Sequence, residues 1–409
     1  MIQRQHLQRS IFEAAIGSIE KLIDGLIEPA FQRLDEVLAD EQLLEAVLGR
    51  LAQRWSQSRT RGRPGTPAEV ALRMLVLKRV KGWSFEETER EVRASLVYRY
   101  LVRVYFEPVP DAKTLIRLSK VIGVEGLEAI HGRLVEIAKD QGLIKGRRAR
   151  VDTTVVETNI SYPTDSNLLA DGVRVLTRGL KRIERMTGVV ARTVRNRKRA
   201  TTRRVLEIAR AARSRNLKNS RARLEAGYRR LLGLVSATVR DAERVMAELA
   251  DGARVAVGQR ACKVVMRAQA QIAQMLPLVR RVMAQTRARI LGGDKHYPDK
   301  VLSLFEPHTE AIRKGKASKP TEFGKLVKIQ EAENQFVVDY QVYQRRPDDR
   351  TLVIPSLAAH ERIFGRAPHL LATDRGFWSP ANKQAARSGG VKRVCISAIG
   401  KADRYAPVN

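Results

Sequence analysis

The chain has 409 residues, with 76 Lys and Arg against 44 Asp and Glu, a formal net charge of +32, and 44% hydrophobic residues. That balance excludes a disordered basic tail and predicts two or three folded domains carrying a strong positive field, which recruits nucleic acid first and an anionic membrane second. No apolar run reaches the roughly 20 residues of a membrane span, and Arg4, Arg9 and Glu13 interrupt the N-terminus where a secretion signal needs an apolar stretch, so a cytoplasmic, nucleoid-associated location is expected.

Residues 1–145 read as an all-helical, helix-turn-helix-like unit. In GTPAEVALRMLVLKRVKG, Thr66 is placed to cap, Pro67 to take the first helical position and Glu69 to complete a capping box, with Gly82 as the stop. Ser84 and Glu87 form a second capping box, a short helix carries Tyr98 and Leu101, and Asp111 caps the next. Arg61, Arg63, Lys78, Arg79 and Lys81 are the candidate phosphate contacts; the alternative is a plain helical domain with solvated basic residues.

Around Arg147 the period changes. RARVDTTVVETNI alternates with β-branched residues, so residues 146–167 hold a strand with Asp152 inside it. From 168 to 300 the pattern is helical again, as a basic insertion. Leu224, Tyr228, Leu231, Val235, Thr238, Ala242, Val245 and Leu249 lie on one heptad seam, which predicts a helical hairpin or short coiled coil, packed within the chain or against a second copy. Residues 181–230 hold 18 Lys and Arg against three Glu. Like charges at such spacing destabilise a helix unless something neutralises them. Arg195, Arg197, Lys198, Arg199, Arg203 and Arg204 therefore read as a surface that tracks the backbone of double-stranded DNA. Aromatic residues are nearly absent there, so stacking on single strands is disfavoured.

Strand patterns resume at 325–331 and 335–344, joined by a turn at EAEN. A helix opened by Ser356 and closed by Gly365 follows, then a short strand, PHLLATD, ending at Asp374. Another helix starts at Ser379-Pro380, and VKRVCIS is the last strand. Without the insertion, the order is β-β-β-α-β-α-β, that of an RNase H-like α/β fold with a mixed sheet and flanking helices. In that order the strands bearing Asp152 and Asp374 are neighbours. Two converging carboxylates that share divalent cations avoid mutual repulsion, and a metal pair can activate water or a DNA 3′-hydroxyl. Cys262 and Cys395 stand alone and the six histidines are scattered, so neither a disulfide framework nor a zinc knuckle is available.

The blocks RVDTTVVETNISYPTDSNLL, SLFEPHTEAIRKGKASKPTEFGKLVKI and LLATDRGFWSPANKQAA resemble the catalytic domain of bacterial insertion-sequence DDE transposases. RGRPGTPAEVALRMLVLKRVKGWSFEETEREV, with YRYL and PVPDAKTL, is similar to the N-terminal domain of the same transposases. The resemblance implies DNA strand cleavage and transfer at element ends, two Mg²⁺ or Mn²⁺ ions, and a homodimer or higher assembly on DNA. It assigns the first acid to Asp152 and the second to Asp374. Lys314 and Lys316, with Glu322-Phe-Gly324, match a block whose lysines hold DNA backbone; Glu157 and Asp165 flank the first acid without being assigned as ligands. The third acid implied is a glutamate on a helix after the last strand. No Glu follows Glu361, and the only acidic side chain beyond Asp374 is Asp403. The expectation is a catalytic domain over 301–409 that stops before this helix, and the alternative function is a non-catalytic DNA-binding remnant or inhibitor.

Overall fold

The computed structural model describes residues 1–397 apart from 6–12, 24, 55–56, 58, 63, 188–192, 215–216, 251–258, 295 and 314–320. The N-terminal unit holds α1 (Glu13–Ile23), α2 (Pro29–Leu38), α3 (Glu41–Ala52), α4 (Ala68–Lys81), α5 (Phe85–Ala94), α6 (Leu96–Leu101) and α7 (Ala112–Asp140). α4 is the central helix. Val70, Met74 and Leu77 join one apolar cluster with Phe31, Val92 and Leu115, and Ala68, Ala71 and Leu72 join a second with Leu43, Val47 and Ile122.

Its start departs from the expected capping box. Pro67 occupies the N-cap and no side chain caps the helix. Glu69 turns inward instead, because the buried Arg73 donates to it from Nε at 3.0 Å and to Asp35 at 2.6 Å; a buried guanidinium without carboxylates would be strongly destabilising. The other signals hold. Gly82 ends α4 at φ 70°, Ser84 and Glu87 cap α5 reciprocally, and Asp111 accepts from Thr114 N at 2.6 Å. α7 runs on to Asp140, with non-helical backbone at Gly123 (φ 64°) inside it.

The sheet comprises β1 (Arg148–Glu157), β2 (Glu310–Ile312), β3 (Glu322–Glu331), β4 (Val337–Val342), β5 (Leu370–Thr373) and β6 (Arg393–Ile396). β2 and β4 both pair antiparallel with β3, β3 pairs antiparallel with β1, and β1, β5 and β6 run parallel. The short β2 was not legible in the pattern. α12 (Val353–Phe364) and α13 (Pro380–Ser388) bury Ala149, Val151 and Leu371 against Leu352, Phe377 and Ala386 on one face. α12 begins one turn before Ser356. Pro355 is tolerated in a first turn, and the Ser356 hydroxyl bonds back to Leu352 O at 2.7 Å rather than capping. Ser379 does cap α13, accepting from Asn382 N at 3.0 Å.

Between β1 and β2 lie α8 (Asp165–Thr187), α9 (Lys198–Ala212), α10 (Leu217–Ala250) and α11 (Gln259–Ile290). These helices pack on one another around a single core, so the insertion is a four-helix unit rather than a hairpin. The heptad seam on α10 points into that core: Tyr228, Leu231, Val235, Ala242 and Val245 are buried with Leu169, Leu176 and Ile272. The helical part starts at Asp165, slightly before the expected 168. At its stem the buried Gln285 donates to Asp165 Oδ1 and to Val301 O, both at 3.1 Å, while Val301 N donates back at 2.9 Å. The outgoing and returning chains are thereby held together.

The junction between α7 and β1 is clamped to the sheet. Glu333, in the β3–β4 turn, accepts from the backbone N–H groups of Lys145, Gly146, Arg147 and Arg148 at 2.6–3.2 Å. Burial opposes its charge, yet these donors hold its carboxyl below the usual range. The buried His360 donates from Nε2 to Gly146 O at 2.9 Å, which leaves Nδ1 to accept from Gln330 at 3.3 Å. That tautomer is neutral, and burial pushes the imidazole pKa down.

Candidate metal and nucleic-acid sites

Alternation along β1 sends Ala149, Val151 and Thr153 to the face covered by α12 and α13, and Arg148, Arg150, Asp152, Thr154 and Val156 to the other. On that second face Arg148, Arg150, Thr154 and Val156 are exposed and Asp152 is half-buried. The parallel register pairs Val151 with Thr373 at the end of β5. Asp152 is the next residue on β1 and Asp374 the first residue beyond β5, so their backbone positions come level across the pair. Asp374 caps the short helix Arg375–Phe377, with Oδ1 accepting from Gly376 N at 3.0 Å. Asp152 Oδ1 accepts from Thr153 N at 2.7 Å, and its Oδ2 lies 3.9 Å from the Arg150 guanidinium.

A third carboxylate approaches from the covered side. A Cβ at Gly376 would lie 2.9 Å from Asp349 Oδ2 and 3.2 Å from Asp374 Oδ1, so Asp349 flanks the Asp374 loop. Thr153 donates to Asp349 Oδ1 at 3.3 Å, and Thr153 points away from the Asp152 face. Asp349 opens a short 3-10 turn, Asp349–Leu352, directly before α12 and left no periodic signal in the sequence. Among the described residues, no group of three or more His, Cys, Asp or Glu is placed to hold a metal ion. Asp403, Lys314, Lys316 and Arg63 lie outside the described residues.

The basic positions divide by their partners. Arg61 and Arg79 are exposed, while Lys78 lies over the Phe85 ring at 4.6 Å and Lys81 over Phe31 at 4.7 Å. The turn Gly82–Ser84 joins α4 to α5, but α5 carries Glu86, Glu87, Glu89 and Glu91 against Arg90 and Arg93, a charge ill-suited to phosphate contact. In the insertion, Arg195, Lys198, Arg199 and Arg203 are exposed. Arg197 is instead folded onto Asp241 at 2.6 Å with little of its side chain exposed, and Arg204 grips both oxygens of Glu207 at 2.6–2.8 Å.

The family model described as "Transposase domain (DUF772)" matches residues 22–120, from the end of α1 into α7. The chain is thus transposase-like over its N-terminal helical unit. An uncharacterised protein of Rhizobium meliloti, ORF8 in the nfe locus, is 29% identical over 162 residues, covering 37% of this chain and 78% of that protein. No solved structure matches. Among the described residues, no helix is long and apolar enough to cross a membrane.

Proposed function

We propose that the chain is an insertion-sequence DNA transposase: an RNase H-like sheet, interrupted by a basic helical insertion, that cuts and transfers DNA strands at element ends with divalent metal held by Asp152 and Asp374. The observation that carries this reading is the β1–β5 register, which brings Asp152 on β1 level with Asp374, the residue directly after β5, across a parallel pair. The strand sequence β4–β3–β1–β5–β6, antiparallel on one side of β1 and parallel on the other, supports it, since that is the order the fold requires.

Two hard carboxylate donors fit Mg²⁺ or Mn²⁺, which keeps several waters and completes its shell with substrate phosphates. Such ions, when bound, activate an attacking water or 3′-hydroxyl and stabilise the leaving oxygen. Asp152 and Asp374 would hold them, while Arg150 beside Asp152 meets a phosphate approaching that face. DNA is the partner that the transposase domain suggests, and the insertion's exposed arginines bind its backbone by releasing counterions. Paired element ends call for a homodimer or larger assembly on DNA.

The test is nicking of DNA bearing the element's ends in Mg²⁺ or Mn²⁺. Asp152→Asn and Asp374→Asn are expected to abolish cleavage while leaving duplex binding intact. Cleavage unchanged in Asp152→Ala would overturn the assignment. A second reading, a protein that occupies element ends without cutting, draws on the lack of a three-carboxylate cluster among the described residues. It predicts salt-dependent duplex binding with no metal-dependent cleavage.

A further inference from the structure

The antiparallel pair α9 and α10 leaves a cleft of about 370 Å³ lined by Arg210, Arg223, Arg230 and Glu207, with Gly227 and Ser214 between them. None of these arginines was singled out by the sequence pattern. The helices come close here because of Gly227, where a Cβ would fall 2.9 Å from Ile208 Cγ1 on α9. Arg223 and Arg230 stand two turns apart on one face of α10, and Arg210 faces them from α9.

The nearby acids are already taken. Glu207 is held by Arg204 on both oxygens, and Glu225 by Arg221 at 3.3 Å. Among the described residues, Arg210, Arg223 and Arg230 form no ion pair. Three cations are therefore brought together around one carboxylate that Arg204 already holds, an excess of positive charge that favours an incoming anion. Exposed Arg199, Arg203 and Arg210 on α9 and Arg213 at its C-cap also fall at spacings of 4, 7 and 3 residues, one stripe running into the cleft. At 1.5 Å per residue the stripe is about 21 Å long, about six base-pair steps at 3.4 Å each.

We propose that the α9–α10 cleft is a phosphate-binding site that grips the backbone of duplex DNA, with Arg210, Arg223 and Arg230 as its contacts and the α9 stripe extending its track. The proposal rests on the DNA-binding reading above and says which surface of the insertion carries it. Guanidiniums suit phosphate oxygens through paired N–H donors, and an arginine-rich cleft without aromatic residues takes the backbone rather than the bases.

The experiment uses the full chain and a labelled duplex of about 30 base pairs, titrated by anisotropy between about 50 and 200 mM salt. The variant Arg210→Gln/Arg223→Gln/Arg230→Gln is compared with the charge-matched Arg345→Gln/Arg362→Gln/Arg387→Gln, exposed positions elsewhere. The cleft variant is expected to bind at least about tenfold more weakly and to flatten the plot of log K against log salt by about 2.7, or 0.9 per lost phosphate. The control is expected to match wild type within about twofold, and the corresponding triple Arg→Lys variant to keep most of the slope. All three cleft arginines are exposed, so their replacement leaves the core untouched.

Cleft and control variants that bind alike, with wild type binding tightly, would overturn the cleft and leave the DNA reading standing. Wild type that fails to bind duplex even at low salt would overturn both. Inorganic phosphate tests the other source of the same chemistry by thermal shift. Stabilisation of wild type but not of the cleft variant, with duplex affinity equal in the two, would make this a small-phosphate site and overturn the DNA assignment.

Discussion

At the scale of single residues, the structure turns on side chains that satisfy several backbone groups at once. Glu333 accepts four N–H groups from the segment linking α7 to β1, so one carboxylate fixes the path between the helical unit and the central strand. Glu333→Gln is expected to lower stability by about 1–2 kcal/mol at pH 7, since an amide replaces a charged acceptor facing several donors. The folded pKa lies below the ordinary 4.5, so this contribution is present above pH 4.5 and is lost as pH falls through the folded value. Denaturant melts of both proteins should diverge at pH 7 and converge in acid; a constant gap would contradict the charge argument. His360 acts with the same sign. Its folded pKa lies below the ordinary 6.5, so the unfolded chain takes up its proton first and stability falls as pH drops below 6.5.

At the scale of elements, Gly324 shows why its motif carries a glycine. It sits where β3 meets both β1 and β2, and a Cβ there would lie 2.1 Å from Val156 O. Any side chain must push β3 away from the strand that carries Asp152. Gly324→Ala is expected to cost about 1–3 kcal/mol and to lower the thermal midpoint, as measured by calorimetry; an unchanged midpoint would contradict the contact. Most elements were legible because their signals are local: the Ser84–Glu87 box, the Asp111 and Ser379 caps, the stop at Gly82 and the alternation of β1. The misses have separate causes. Glu69 follows the capping pattern but answers to Arg73, a buried cation that pulls it inward. Ser356 reads as a cap but lies inside α12, and β2 is too short to show a period. Of the candidate site, Asp152 and Asp374 were legible through strand order. Asp349 was not, because only tertiary packing brings its short turn to Gly376.

At the scale of the whole molecule, the four-helix insertion has its own core, while the α1–α7 unit joins the sheet through a shared cluster in which Val135 and Ala138 of α7 and Ile144 pack with Ala332 and Val338. The insertion leaves the sheet after β1 and returns before β2, and its stem is tied by Gln285. A DNA backbone held on α9 and α10 would therefore be anchored on the same sheet that carries the two acids, which is the economy of the proposed arrangement. Its centre is the claim that Asp152 and Asp374 together hold a divalent cation. The most direct measurement is a Mn²⁺ titration followed by electron paramagnetic resonance, made on the full chain with duplex DNA present. Wild type is expected to bind the ion, and Asp152→Asn and Asp374→Asn each to weaken binding by about 10–100-fold with the fold intact by circular dichroism. Wild-type Mn²⁺ affinity in both variants would contradict the account.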